Sequence, residues 1–179
     1  SGHKSFVMWF TGLSASGKST LAIALEKELF ERGHQVMVLD GDNVRHGLCS
    51  DLGFSAEDRR ENLRRIGEAA KLFLESGTIV LAAFVSPYRA DREQVRSMMP
   101  HGDFVEVYCQ CDIDVCAERD PKGLYARAKA GEIQNFTGIS APYEEPLRPD
   151  IRLSSGVDSV ANNVAKLIAL LENSGKIGT

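Results

Sequence analysis

The chain has 179 residues, 43% of them hydrophobic and 26% charged, with a formal net charge of −4. That make-up fits one ordinary globular domain spanning 1–179, long enough for a substantial core. The acidic balance argues against nucleic acid as a partner. No apolar run approaches a membrane span and no secretory signal is visible, so neither a membrane partner nor export is expected.

Ser1-Gly2-His3 reads as a candidate expression remnant and is set aside. Phe6-Val7-Met8-Trp9-Phe10 reads as a buried strand. It feeds Gly12-Leu13-Ser14-Ala15-Ser16-Gly17-Lys18-Ser19-Thr20, which matches the phosphate-loop pattern G-x-x-x-x-G-K-[ST] without a mismatch. Leu21, Ala22, Leu25 and Leu29 then recur at helical spacing, so a helix is expected from Lys18 to about Arg32, closed by Gly33. A second strand, Val36-Met37-Val38-Leu39, ends in the polar cluster Asp40-Gly41-Asp42-Asn43, on the edge where open α/β sheets bind ligands. Ser55 is the expected cap of a long helix reaching about Ser76. Its apolar stripe of Leu63, Ile66, Ala70 and Phe73, continued backward, places Asn62 and Arg59 on the inward face. An inward arginine needs an anionic partner, either an internal carboxylate or a bound anion.

A third strand, Thr78 to Val85, is apolar throughout and suits a central parallel position. Ser86-Pro87-Tyr88 lies just past its end. A helix over about Asp91–Met99, a strand over Phe104–Cys109 and a short helix through Arg119, with Asp112 and Asp114 as candidate caps, come next. Residues 120–149 are rich in proline and glycine, with Lys122, Arg127 and Lys129 interspersed and a short helix around Leu124–Ala130. Beside a phosphate loop, this segment reads as a lid that closes over a transferring phosphoryl group. Ile151-Arg152-Leu153 completes the strands. A last helix carries Val160, Val164, Leu167, Ile168 and Leu171 on one face. The alternation implies an α/β fold of the three-layer P-loop kinase type: a mostly parallel five-stranded sheet with helices on both faces. The cysteines, Cys49, Cys109, Cys111 and Cys116, form no C-x-x-C pair. They read as small buried side chains in a reducing cytoplasm rather than as zinc ligands.

The loop specifies a nucleoside triphosphate. Its amides and the helix N-terminus surround phosphate oxygens, Lys18 reaches the β- and γ-phosphates, and the Ser19 hydroxyl ligates Mg²⁺. No N-K-x-D guanine signature is present, and the third strand does not end in the aspartate of a typical ATPase magnesium site. The acidic candidates are Asp40 and Asp42, and for Asp40 the plain role of a turn residue beside Gly41 stays open. This pattern suits a small-molecule kinase. A non-catalytic nucleotide-sensing domain is the competing class.

The series Gly12-Leu13-Ser14, Gly17-Lys18-Ser19-Thr20, Asp40-Gly41-Asp42-Asn43-Val44-Arg45, Gly53-Phe54-Ser55, Asp58-Arg59…Asn62…Arg65, Phe84-Val85-Ser86-Pro87-Tyr88, Arg119-Asp120-Pro121-Lys122-Gly123-Leu124-Tyr125 and Phe136-Thr137-Gly138-Ile139 resembles the adenylylsulfate (APS) kinase family over nearly the whole chain. The resemblance implies phosphoryl transfer from ATP to the 3′-hydroxyl of APS, with Mg²⁺, in sulfate activation. It implies that Arg45, Arg59 and Asn62 hold the phosphosulfate and ribose end, that Phe54 and Phe136 sandwich the adenine, and that Asp40, Asp42 and Asn43 belong to the APS-binding set. It further implies that Phe84 to Tyr88 line the APS pocket, that Arg119 serves the ATP side, and that Lys122 reaches an anionic substrate group. Asp42 is the candidate to orient the 3′-hydroxyl, and Asp40 or Asp42 could instead act through magnesium waters. Ser86 is the position proposed in this family for a phosphoserine, but no obvious base lies near it in sequence, and direct in-line transfer is expected. The resemblance also implies a homodimer, and a module found fused to sulfate adenylyltransferase. Ala15-Ser16, Ala83 and Asn135 depart from the family pattern, which more often has Gly-Ala, serine and glycine there. Another small-molecule P-loop kinase, for a nucleoside or a sugar acid, is the alternative.

Overall fold

The structure, a computed structural model, describes residues 4–179; Ser1-Gly2-His3 lie outside the described residues. Strands β1 (Val7–Thr11), β2 (Val36–Asp40), β3 (Ile79–Ala83), β4 (Phe104–Gln110) and β5 (Ile151–Ser154) form one sheet in the order β2-β3-β1-β4-β5. Every pair is parallel. The chain builds β2 and β3 to one side of β1, then β4 and β5 to the other. The carboxyl ends beside β1 are therefore the point where the winding reverses and a crevice opens.

β1 is buried on both faces, and its residues alternate between two cores. Met8 and Phe10 join Leu21, Leu25 and Leu29 of α1 (Lys18–Glu31) and Leu167, Ile168 and Leu171 of α7 (Val160–Asn173). Val7 and Trp9 join Leu63, Ile66, Ala70 and Leu74 of α3 (Ala56–Glu75) and Val95 of α4 (Arg89–Ser97). The phosphate loop hangs from the end of β1 between these layers. α5 (Ile113–Arg119) and α6 (Leu124–Lys129) flank its open side, and α2 (Gly41–Arg45) follows β2 directly.

Several local expectations are corrected. The cluster after β2 is a helix, not a turn: Asp40 accepts from the Asn43 amide at 2.8 Å, and the Asn43 side chain accepts from the Asp40 amide at 3.0 Å. This reciprocal cap satisfies donors that a five-residue helix cannot satisfy itself. Asp112 sits at the N-cap of α5 but makes no side-chain cap bond. α4 starts at Arg89, two residues early. Val160 is 40% exposed, and Asn163 is buried on α7. On α3, Phe73 is half-buried and Leu74 takes the inner position. Ser55 caps α3 as expected, accepting from the Asp58 amide.

Residues 120–149 are held at both ends. Asp120 accepts from the Tyr125 and Ala126 amides. At the other end, the Tyr143 hydroxyl bonds Thr11 Oγ1 at 2.8 Å, and Arg92 donates to the Glu144 carbonyl at 2.6 Å.

Candidate active site

The phosphate loop is shaped by what its carbonyls do. Four consecutive carbonyls accept from side chains: Gly12 and Leu13 from Lys18 Nζ at 3.0 and 2.7 Å, Ser14 from the Tyr125 hydroxyl at 2.7 Å, and Ala15 from Arg119 at 3.3 Å. A peptide unit points its N–H opposite its C=O, so anchoring the carbonyls outward leaves amides facing inward, the arrangement an anion needs. Gly17 at φ 98° makes the turn into α1. Ala15 also adopts a left-handed φ of 63°, at a cost of about 1 kcal/mol for a residue with a Cβ. Lys18 is buried, and burial pushes its pKa down to about 8.

One cavity of about 1280 Å³ runs from this loop across the carboxyl ends of the strands. Its walls bring together Ser14, Ala15, Gly17, Lys18, Ser19 and Thr20 with Asp40, Asp42, Arg45, Phe54, Arg59, Asn62, Phe84 to Tyr88, Arg119, Lys122 and Phe136. Four expected residues stand outside the walls, for physical reasons. Gly12 packs under the loop against the Cys109 carbonyl. Ser16 is buried. Leu13 packs on the cluster of Cys111, Cys116 and Tyr125. The Asn43 side chain is occupied in the α2 cap and donates to the Val38 carbonyl at 2.9 Å.

At the far end, Arg45 donates to the Leu52 and Gly53 carbonyls and lies 4.2 Å from the centre of the Phe54 ring. Phe54 itself is 68% exposed, which makes it a wall of the cavity rather than a core residue. Among the described residues Arg59 pairs with no carboxylate; its partner is the Asn135 carbonyl at 3.2 Å. Asn62 is buried, and its Oδ1 has no hydrogen-bond partner among the described residues. A buried orphan acceptor costs about 1–3 kcal/mol, and this one shares the cavity wall with Arg45 and Arg59. Phe136 meets Tyr125 edge-on, with ring centres 5.0 Å apart. Lys122 pairs with Asp42 at 2.7 Å, and both side chains are well exposed.

Ser86 is in a different situation. It is buried, with φ 42°, and its hydroxyl accepts from Trp9 Nε1 at 3.0 Å. It can donate to Thr11 Oγ1 at 3.0 Å or to the Phe84 carbonyl at 3.1 Å. None of these partners is a base.

Sequence reasoning met Tyr125 within the Arg119–Tyr125 series but gave it no role, and missed Arg92 and the wall formed by Ser155, Asp158, Ser159 and Asn163. Arg92 is 2% exposed, donates to the Ser86 carbonyl at 2.6 Å and faces Glu106 at 3.6 Å. The available signal was Glu106 itself, a lone carboxylate in an otherwise apolar strand. All four cysteines are buried free thiols, and among the described residues no helix is long and apolar enough to cross a membrane.

Comparison with known proteins identifies the family. The family described as adenylylsulphate kinase matches residues 4–154. An adenylyl-sulfate kinase of Prochlorococcus marinus is 59% identical over 170 residues, covering 95% of this chain and 85% of that protein. The solved structure of the Mycobacterium tuberculosis APS kinase in complex with AMPPNP and APS superposes with a TM-score of 0.90 at 47% identity, covering 95% of this chain and 99% of that one. A gluconokinase from Sinorhizobium meliloti, at 19% identity and a TM-score of 0.59 over 96% of this chain and 94% of its own, shares the fold alone. With a family match across most of its length and a relative more than half identical over nearly all of it, the chain belongs to the adenylylsulphate kinase family.

Proposed function

We propose that the protein transfers the γ-phosphoryl group of ATP to the 3′-hydroxyl of adenosine 5′-phosphosulfate, giving ADP and 3′-phosphoadenylylsulfate. The observation that carries this reading is the single cavity joining a phosphate loop to a second pocket with aromatic, cationic and unpaired amide walls. ATP phosphates take the loop amides and the α1 N-terminus, and Lys18 leaves the Gly12 and Leu13 carbonyls for β- and γ-oxygens. Arg45, Arg59 and Asn62 hold the phosphosulfate and ribose, and Phe54 and Phe136 enclose the adenine. Asp42 orients the 3′-hydroxyl. Its pair with Lys122 is exposed and costs little to open, which frees Lys122 for an anionic group of the substrate. The 3′-oxygen attacks the γ-phosphorus in line, the bond to the β-bridging oxygen breaks, and the hydroxyl proton passes to Asp42 or solvent. Closure of 120–149 as a lid excludes water.

The residues fit Mg²⁺. Ser19 and, through water, Asp40 or Asp42 are hard oxygen donors, and the described residues hold no larger cluster of metal-ligating side chains. That sparse set suits an ion carried mainly by phosphates and water. Bound there, Mg²⁺ would neutralise charge on the β- and γ-oxygens. A cytoplasmic setting, where buried free thiols stay reduced, a homodimer, and fusion to or association with sulfate adenylyltransferase belong to the same proposal.

The test is ADP release from MgATP with APS, AMP, adenosine or gluconate as acceptor. APS-dependent turnover, weak with AMP, is expected. Turnover with another acceptor but not APS would replace the substrate assignment, and tight ATP binding without turnover would favour a sensing domain.

Two further results are expected. Ser86→Ala should retain turnover within about tenfold, because its hydroxyl is engaged by Trp9 and Thr11. It should lower stability by about 1–2 kcal/mol through the unpaired indole N–H. Abolished activity with normal folding and substrate binding would instead favour the phosphoserine route. The second concerns pH. Phosphate binding favours protonated Lys18, whose pKa in the free protein is about 8, and so raises that pKa in the complex. Nucleotide affinity is therefore full below about pH 8 and falls as pH rises above it. Calorimetry at pH 9 in buffers of different ionisation enthalpy should detect proton uptake on binding.

A further inference from the structure

Tyr125 lies behind the cavity wall, packed between Ser14 of the phosphate loop and Phe136. It is 1% exposed. Its hydroxyl donates to the Ser14 carbonyl at 2.7 Å, and its ring meets Phe136 edge-on at 5.0 Å. Its own position is set by Asp120, which accepts from the Tyr125 amide at 2.9 Å. The Ser14 carbonyl and the Ala15 N–H belong to one peptide unit, so the bond from Tyr125 fixes the direction of the Ala15 amide. That peptide leads into the alanine at φ 63°, a conformation a residue with a Cβ holds only when its surroundings impose it.

We propose that Tyr125 is a positioning residue that holds the Ser14–Ala15 peptide in its anion-binding orientation and ties that orientation to the Phe136 wall of the acceptor pocket. The proposal rests on the functional reading above for the identity of the two ligands. Its physical content is that Phe136, on the acceptor side, influences the phosphate loop through Tyr125. Conversely, a nucleotide seated in the loop firms up the wall that the acceptor base meets.

The experiment is a double-mutant cycle on AMPPNP affinity, measured calorimetrically without any acceptor. Tyr125→Phe keeps the ring and should weaken AMPPNP about fivefold, the factor of one hydrogen bond. Phe136→Ala should weaken it about threefold despite its place on the acceptor side. In the double variant the loss should equal that of Tyr125→Phe alone. Adding Ala15→Gly to Tyr125→Phe should recover part of the affinity, because glycine holds the left-handed conformation unaided. A purely packing role for Tyr125 would give no such recovery. Losses that multiply in the double variant, an unchanged affinity in Phe136→Ala, or no rescue by glycine would each overturn the link. Because no acceptor is present, these outcomes are independent of whether APS is the substrate, which the turnover assay decides.

Discussion

Replacing Lys18 by methionine is expected to lower kcat/KM for phosphoryl transfer by about three orders of magnitude. The side chain is the cation at the centre of the loop. Its ammonium lies 2.7–3.0 Å from the Gly12 and Leu13 carbonyls and is buried under the site. Methionine keeps the apolar stem and removes the charge, so the loss reports on charge at the γ-phosphate rather than on packing. Stability should move differently. Burial disfavours the charged form of Lys18, so below about pH 8 the ligand-free fold carries the cost of an ammonium that prefers water. Taking that charge away should leave the Tm of the ligand-free protein unchanged or higher, the usual opposition between stability and function at a site. ADP-release kinetics and thermal unfolding on the same variant check both halves. A fall in kcat/KM of less than tenfold would remove Lys18 from the centre of the mechanism.

Gly12→Ala is the second large effect. A Cβ at this position would stand 2.7 Å from the Cys109 carbonyl oxygen and 2.8 Å from Ser16 Oγ. The carbonyl belongs to β4, where Cys109 is in register with Leu153 of β5, and cannot yield without disturbing that pairing. A cost of about 3 kcal/mol is expected, which lowers Tm by roughly 10 °C in a domain of this size, together with loss of nucleotide binding as the loop lifts off β4. Gly33→Ala is the control. It also has a positive φ, 87°, but nothing lies within 4 Å of its added Cβ, so about 1 kcal/mol is expected there. Equal Tm shifts for the two variants would show that conformation rather than crowding governs position 12.

Much of this site was legible in the sequence because it is local. The phosphate loop is a contiguous pattern, and helical spacing alone carried Arg59 and Asn62 onto the inner face of α3. In the structure Arg59 pairs with the Asn135 carbonyl and, among the described residues, with no carboxylate, and Asn62 Oδ1 has no partner there. The residues that escaped are those whose partners are distant in the chain. Arg92 sits on a strongly polar helix and reads as solvent-facing until Ser86, Glu106 and Glu144 converge on it. Tyr125 is an aromatic in a glycine- and proline-rich stretch, and its partner, Ser14, is 111 residues away. The short helix after β2 was hidden by Asp-Gly-Asp-Asn, a composition that favours turns. The same side chains that make turns also make caps.

The alanine at position 15 has one more implication. Its Cβ disfavours the left-handed shape it holds, so in the ligand-free loop that shape is imposed by the surroundings. The grips of Tyr125 on the Ser14 carbonyl and of Arg119 on the Ala15 carbonyl supply that constraint before any nucleotide arrives. The disorder has been removed during folding rather than at binding. Association of the nucleotide is then the meeting of a charged molecule with a finished surface, so its speed should follow diffusion and ionic strength rather than the rearrangement of a loop.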